Sequence, residues 1–266
     1  MQIREKEKQL CQVLEKYGRV AVAFSGGSDS SLLLSYAIKV LGPDNTAAFT
    51  SRSCLLKPHE LERVSSWFAI HVLQGQVFHQ FVDIDPFAWD EFVSNPDDRC
   101  YKCKSMVYRL FLARAAALGI TSLIDGTNID DMQSDRPGLR ALREMGVGTP
   151  LADAGLSKED VRALSKEIGL NTWDHPSSSC LATRIPSGIE ITQQRIDLVA
   201  RAESILEEMG FAGCRVRLDR YESATACLQV QQHDVQRIAQ DSNRVHILEK
   251  LKKIGFYRVL LDIYGR

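Results

Sequence analysis

Three groups of residues in this 266-residue chain have the types and spacing to do chemistry. The first is Ser25-Gly26-Gly27-Ser28-Asp29-Ser30, between an apolar run at 21–24 and another at 32–34. Its glycines tolerate torsions that a Cβ disfavours, so successive amide N–H groups can converge on one anion. A helix N-terminus behind them adds partial positive charge, and such a loop holds phosphate. It is not the common P-loop, because no Lys-Ser/Thr pair follows the last glycine. The second group, Arg99-Cys100-Tyr101-Lys102-Cys103-Lys104, sets two thiols on one helical face beside three cations, which favour thiolate. The third is the hydroxyl-rich stretch Pro176-Ser177-Ser178-Ser179-Cys180-Leu181-Ala182-Thr183-Arg184, a poor core segment that puts Cys180 near Arg184 as a reactive or ligating thiol. Residue types alone leave several readings of the paired thiols open. A zinc site wants four ligands; a third thiol and perhaps His175 exist, but no second paired motif does, and a thioredoxin-like pair would follow an early strand. An iron–sulfur cluster on three thiols with one open iron is chemically reasonable, and two helical core cysteines are the plain alternative.

The elements that position these groups follow from hydrophobic period. A leading amphipathic helix is expected over 2–17, a strand over 20–24, a helix over 30–40, a strand over 46–50 and a helix over 58–73. A strand over 78–84, a short helix over 86–93, a turn over 95–98, a helix over 100–118 and a strand over 122–124 follow. This alternation predicts an α/β fold, a mainly parallel sheet with helices on both faces and right-handed crossovers. Ligands in such sheets lie beyond the carboxyl ends of the strands. The first loop and the turn Asp125-Gly126-Thr127-Asn128 are therefore expected on one edge. Asp131, Asp135 and Arg136 continue from it, the acids suited to Mg²⁺ through water and the arginine to phosphate or a carboxylate.

A capped helix from about 157 ends at Gly169, and 173–188 is irregular and rich in Ser and Pro. A helix over 192–209, strands near 214–218 and 225–230, one or two helices over 234–253 and a strand over 256–263 then predict a small α+β domain. The expected division is 1–186 and 187–266. Lys+Arg (33) and Asp+Glu (34) nearly cancel, so no overall basic field argues for nucleic acid or an anionic membrane. No secretory signal or membrane-spanning stretch is visible, so the cytoplasm is the expected compartment. Seven cysteines in that setting argue for thiol, metal or core roles. Cys11, Cys214 and Cys227 read as packing residues, and Cys54 has no assigned role.

The first loop resembles the PP-loop signature SGGxDS of the N-type ATP pyrophosphatases. That likeness implies a loop gripping the β,γ-pyrophosphate while an oxygen nucleophile attacks the α-phosphorus. Together with Cys100-Tyr101-Lys102-Cys103-Lys104, Asp125-Gly126-Thr127-Asn128 and Ser179-Cys180-Leu181-Ala182-Thr183-Arg184, it makes most of the chain resemble the LarE-type sulfur transferases. The resemblance implies an enzyme that adenylates carboxylates of pyridinium-3,5-biscarboxylic acid mononucleotide and converts them to thiocarboxylates. The product is the nickel-pincer nucleotide cofactor of lactate racemase and related enzymes. ATP is then expected at Ser25, Gly26, Gly27, Ser28, Asp29, Ser30, Thr50, Gly126, Thr127, Asn128, Asp131 and Arg136, with Mg²⁺ at Asp29 and Asp131.

The family has two sulfur routes. Cys180 can surrender its own sulfur, or Cys100, Cys103 and Cys180 can hold a [4Fe–4S] cluster; the three-cysteine set resembles the cluster-bearing branch. The resemblance also implies a substrate-phosphate site at Arg184, Arg215 and Arg217. Arginines two apart on a strand share one face, as joint phosphate recognition needs. Glu203 and Asp234 are candidates for a metal or polar site, and a separate sulfur donor and a homohexamer are implied partners. Rival readings are a tRNA thiolase, which would want a basic surface and paired zinc CxxC motifs, an amide-forming synthetase of the same fold, and a non-enzymatic ATP-binding regulatory module.

Overall fold

A computed structural model of the chain describes residues 2–72, 76–133, 137–175, 179–222 and 224–266. In chain order the elements begin α1 (Ile3–Glu15), β1 (Val20–Ala23), α2 (Ser28–Leu41), β2 (Thr46–Arg52), α3 (Pro58–His71), β3 (Phe78–Asp83), α4 (Asp90–Val93), α5 (Arg99–Ala117) and β4 (Leu123–Asp125). They continue α6 (Ile129–Met132), α7 (Pro137–Glu144), α8 (Pro150–Asp153), α9 (Lys158–Glu167), α10 (Gln193–Glu208), β5 (Arg215–Leu218), β6 (Thr225–Gln229), α11 (Val235–Ala239), α12 (Asp241–Lys253) and β7 (Arg258–Leu261). Two compact units result. One comprises Met1–Ser53, Pro58–Asp85 and Asp98–Ser177; the other comprises Cys54–Lys57, Pro86–Asp97 and Ser178–Arg266. The cut at 186/187 read from the sequence falls inside the last segment of the second unit.

In the first unit the strands lie in the order β3-β2-β1-β4, all parallel, with Ala23 paired to Phe49 on one side and to Asp125 on the other. The central strand β1 is an uncharged Val-Ala run, as a strand covered on both faces requires. Alternation sends Val20, Val22, Ala48 and Ile124 into one core with Leu10 and Leu14 of α1, Leu32–Leu34 of α2, Val64 and Trp67 of α3 and Leu164 of α9. On the opposite face Phe49 packs against Phe111 of α5, ring centroids 5.8 Å apart. The α/β class therefore holds, with helices on both faces of a parallel sheet. α9 carries the expected reciprocal cap, Ser157 with Asp160. Between β4 and α9 the chain forms three short helices where the sequence reading has no element. Each is too brief for a legible period, although α7 buries Leu139, Ala141 and Leu142.

The second unit has a three-stranded sheet in the order β5-β6-β7, with an antiparallel hairpin and then a parallel pair joined through α11 and α12. Ile196, Val199, Ala202 and Leu206 of α10 are buried, as are Val216 and Leu218 of β5 and Ala226 and Leu228 of β6. Arg215 and Arg217 alternate with them on the other face of β5. Among the described residues no helix is long and apolar enough to cross a membrane.

Candidate functional site

The first loop leaves β1 where Phe24 N–H donates to the Phe49 carbonyl at 2.9 Å. Gly26 takes φ +70°, and a Cβ there would meet Val64 Cγ2 at 2.9 Å, so both torsion and space call for glycine. Ser30 Oγ accepts from Ser25 N–H at 3.2 Å and lies 3.1 Å from Ser25 Oγ, closing the loop on the first turn of α2. Gly27 is the N-cap of α2 and supplies no side-chain acceptor to its leading amides. Ser28 Oγ is also buried without a hydrogen-bond partner among the described residues. Unanswered donors at a helix start suit an anion.

The turn after β4 closes on this loop. A Cβ on Gly126 would sit 2.9 Å from Ser30 N and 3.0 Å from Asp29 C, so the two backbones touch only because Gly126 has no side chain. Asn128 is fully buried; its Oδ1 accepts from Asp130 and Asp131 N–H at 3.0 and 3.1 Å, and its Nδ2 donates to Asp29 Oδ1 at 2.9 Å. Burial pushes the Asp29 carboxyl above its ordinary pKa, and the bond from Asn128 opposes this only in part. A carboxylate so placed favours a cation. Asp131 lies on α6, the short helix that Asn128 caps, while neighbouring Asp130 accepts from Lys158 N–H at 2.7 Å. Arg136 and Asp135 lie outside the described residues.

Asp125 anchors the turn. Its Oδ1 accepts from Thr127 N–H at 2.8 Å and from the Thr127 hydroxyl, while its Oδ2 accepts from Tyr108 Oη. Lys104 Nζ lies 3.5 Å from the same Oδ2. Lys104 and Tyr108 stand one helical turn apart on α5, whose first two turns carry Cys100 and Cys103. The thiol helix and the turn after β4 are thus tied inside one unit. Cys100 is exposed and Cys103 half-buried, and the Arg99 guanidinium donates to Cys100 Sγ at 3.7 Å.

Thr50 is buried, and its hydroxyl donates to the Phe24 carbonyl at 2.8 Å. With its one proton so used, it accepts from His79 Nε2–H at 3.0 Å, and burial holds that imidazole neutral with a pKa pulled down to about 4. The Thr50 hydroxyl therefore braces the loop from beneath.

In the second unit Cys180 caps a 3-10 turn, Leu181–Arg184. Arg184 is buried, and its Nη1 donates to Ser179 O, Ser179 Oγ and Thr183 Oγ1 at 3.0, 2.7 and 2.8 Å. Its Nε and Nη2 grip Glu203 at 2.6 and 3.2 Å. Burial works against the Glu203 carboxylate, but Arg184 and Lys57 outweigh it and keep its pKa below the ordinary value. Arg184 and Glu203 thus serve each other. Asp234 pairs with Arg237 at 2.8 Å. Arg215 differs: its Nε is buried without a partner among the described residues. Burial, then the guanidinia of Arg266, Arg184 and Arg217, pull it down to about 10, so it favours an anion. Arg217 donates to Gln229 Oε1 at 2.8 Å and to the Thr183 carbonyl at 3.0 Å. Among the described residues no group of three or more His, Cys, Asp or Glu has the geometry of a metal site.

Over 260 residues, 98% of this chain and 91% of the relative, the sequence is 34% identical to the pyridinium-3,5-bisthiocarboxylic acid mononucleotide synthase of Lactiplantibacillus plantarum. The chain belongs to the LarE-type sulfur transferase family. An uncharacterized protein of Synechocystis is 35% identical over 266 residues, 99% of this chain and 95% of the relative. One chain of the glutamine-hydrolyzing GMP synthase of Thermoplasma acidophilum is 28% identical over 207 residues, 72% of this chain and 64% of that one. That likeness marks the PP-loop ATP-dependent enzymes. No family model matches. The LarE-type motifs point to the loop, the turn and the thiols. They do not point to Tyr108 or His79, which hold the turn and the loop in place. The only hint in the sequence is that Tyr108 falls one turn beyond Lys104.

Proposed function

We propose that this chain is an ATP-dependent sulfur transferase that adenylates carboxylates of pyridinium-3,5-biscarboxylic acid mononucleotide and converts them to thiocarboxylates. The carrying observation is that the Ser25–Ser30 loop and a Cys-x-x-Cys helix meet on one turn, through Gly126 and Asn128 on one side and Lys104 and Tyr108 on the other. Loop amides and the α2 N-terminus hold the β,γ-phosphates, with Mg²⁺ at Asp29 and Asp131 and with Arg136 assisting. A substrate carboxylate oxygen attacks the α-phosphorus, and the bond to pyrophosphate breaks. Sulfur then attacks the acyl carbon; a C–S bond forms, the C–O bond to phosphate breaks, and AMP leaves with the electron pair. Adenylation is needed because carboxylate oxygen is a poor leaving group.

The donor set Cys100, Cys103 and Cys180, thiols alone and one short of four, suits a [4Fe–4S] cluster with an open iron. Such a cluster, when bound, would present the sulfur to be transferred. Sacrifice of Cys180 would leave the pair on α5 without a role. Arg215 and Arg217 take the substrate phosphate, and the unanswered Arg215 Nε supports this. Arg184, by its bonds, orders the Cys180 loop instead. A sulfur donor, a homo-oligomer and a place in maturation of lactate racemase belong to the same reading.

The test is anaerobic turnover with ATP, Mg²⁺ and the mononucleotide. Pyrophosphate and thiocarboxylate are expected, with iron, acid-labile sulfide and a brown colour that Cys100→Ala abolishes. A colourless, iron-free Cys100→Ala protein that matches the wild type in activity would exclude the cluster. A protein mass lower by one H₂S after turnover would mean that Cys180 is sacrificed. Failure to release pyrophosphate would favour a regulatory ATP-binding module.

A further inference from the structure

Glu203 of α10 is fully buried, yet it is ionised and its oxygens are fully engaged. Oε1 accepts from Arg184 Nε at 2.6 Å and from Val216 N–H at 3.0 Å. Oε2 accepts from Arg184 Nη2 at 3.2 Å and pairs with Lys57 Nζ at 2.7 Å. Four donors match the acceptor capacity of a carboxylate, which leaves no lone pair for a metal ion. What these donors belong to is the informative point. Arg184 turns its remaining nitrogen onto Ser179 and Thr183, which flank Cys180. Val216 is the residue between Arg215 and Arg217 on β5. A second link closes the same circuit, from Arg217 Nη1 to the Thr183 carbonyl at 3.0 Å.

We propose that Glu203 is a positioning residue that registers the Cys180 loop against the Arg215–Arg217 strand, so that one buried carboxylate sets the span from substrate phosphate to transferred sulfur. The inference rests on the functional reading above, in which that strand takes the phosphate and Cys180 serves the sulfur step. A surface ion pair could not do this, because solvent screening and side-chain freedom would loosen the register. A buried bidentate pair joined to a backbone amide is rigid. The span then favours a mononucleotide over its dephosphorylated nucleoside. Without the register, the acyl adenylate still forms but meets water before sulfur.

The test uses the full chain with Glu203→Gln, which keeps the shape, and Glu203→Gln with Lys57→Met, which also removes the cation that then faces a neutral amide and pairs with Glu207 at 2.6 Å. Thiocarboxylate formed per pyrophosphate released should fall by about tenfold or more in both, and the preference for mononucleotide over nucleoside should shrink by a similar factor. A wild-type ratio with an intact preference would overturn the proposal, and so would a parallel fall of both products at constant ratio, the mark of a merely structural role. Amide hydrogen exchange supplies a readout that needs no turnover. Inorganic phosphate should slow exchange across residues 179–184 in the wild type and not in Glu203→Gln. If that coupling is present while the wild type releases no pyrophosphate, the register stands and the assigned reaction fails. If phosphate leaves 179–184 unchanged in the wild type, the register fails.

Discussion

The Asn128 side chain donates to Asp29 Oδ1 at 2.9 Å, joining the first turn of α2 to the turn after β4 across 99 residues of sequence. Its carbonyl oxygen meanwhile caps α6 through Asp130 and Asp131. One buried amide thus orders Asp29 of the first loop and the helix bearing the second candidate acid, Asp131. Asn128→Ala should raise the KM for ATP by about tenfold, roughly the loss of one charge-assisted hydrogen bond. Titration calorimetry with and without Mg²⁺ checks it, and an unchanged affinity would remove Asn128 from the site.

Asp29 carries a prediction of opposite sign for stability and binding. Its folded-state pKa is raised above 3.8 by burial, so folding favours its protonated form. That contribution is full below the unfolded pKa and is lost as pH rises through the folded one, leaving the ionised group a cost at neutral pH. Asp29→Asn should therefore raise the ligand-free melting temperature at pH 7 and weaken Mg²⁺-dependent ATP binding. A drop in melting temperature would contradict the sign.

Gly126→Ala forces a methyl group into backbone atoms of Asp29 and Ser30, which cannot rotate away. The expected cost is about 1–3 kcal/mol by denaturant unfolding, with a rise in the KM for ATP. Gly188, whose added Cβ would meet nothing within 4 Å, is the control for space; only its φ of +80° opposes a side chain. Replacement there should leave ATP binding intact.

Thr50→Val keeps the shape and removes the hydroxyl that holds Phe24 and receives His79. It should destabilise by about 1–3 kcal/mol, because the buried imidazole N–H loses its acceptor, and Thr50→Ser should recover most of that. Paired thermal melts decide the matter. A stable Thr50→Val protein with poor ATP affinity would show instead that the hydroxyl contacts nucleotide.

Arg215 is a half-buried cation on which three further guanidinia, those of Arg266, Arg184 and Arg217, act. Inorganic phosphate should raise the wild-type melting temperature with concentration, by mass action. Arg215→Met should abolish that shift, melt higher without phosphate, and weaken mononucleotide binding by about a hundredfold. A phosphate shift that persists in Arg215→Met would move the anion elsewhere.

Much of this protein could be read locally. The run from Val20 to Ala23, the glycines at 26 and 27 and the amphipathic helices declare themselves within a few residues, because strand and helix periods and glycine torsions are short-range properties. The thiols at 100 and 103 share a face for the same reason. The LarE-type motifs then name the chemistry.

Only the tertiary structure decided which polar groups are engaged within the protein. Arg184 and Arg215 look alike in the sequence, yet Glu203 and the Cys180 loop occupy the first while Nε of the second has no hydrogen-bond partner among the described residues. Thr50 belongs to the expected ATP set, but its hydroxyl is held between Phe24 and His79. Tyr108 and Glu203 belong to no motif, although one anchors the turn after β4 and the other joins loop to strand. Hydrogen-bond partners distant in sequence meet only through packing, and no local pattern encodes that meeting. Residue types specify what a side chain can bind, and the fold determines whether that capacity is still available.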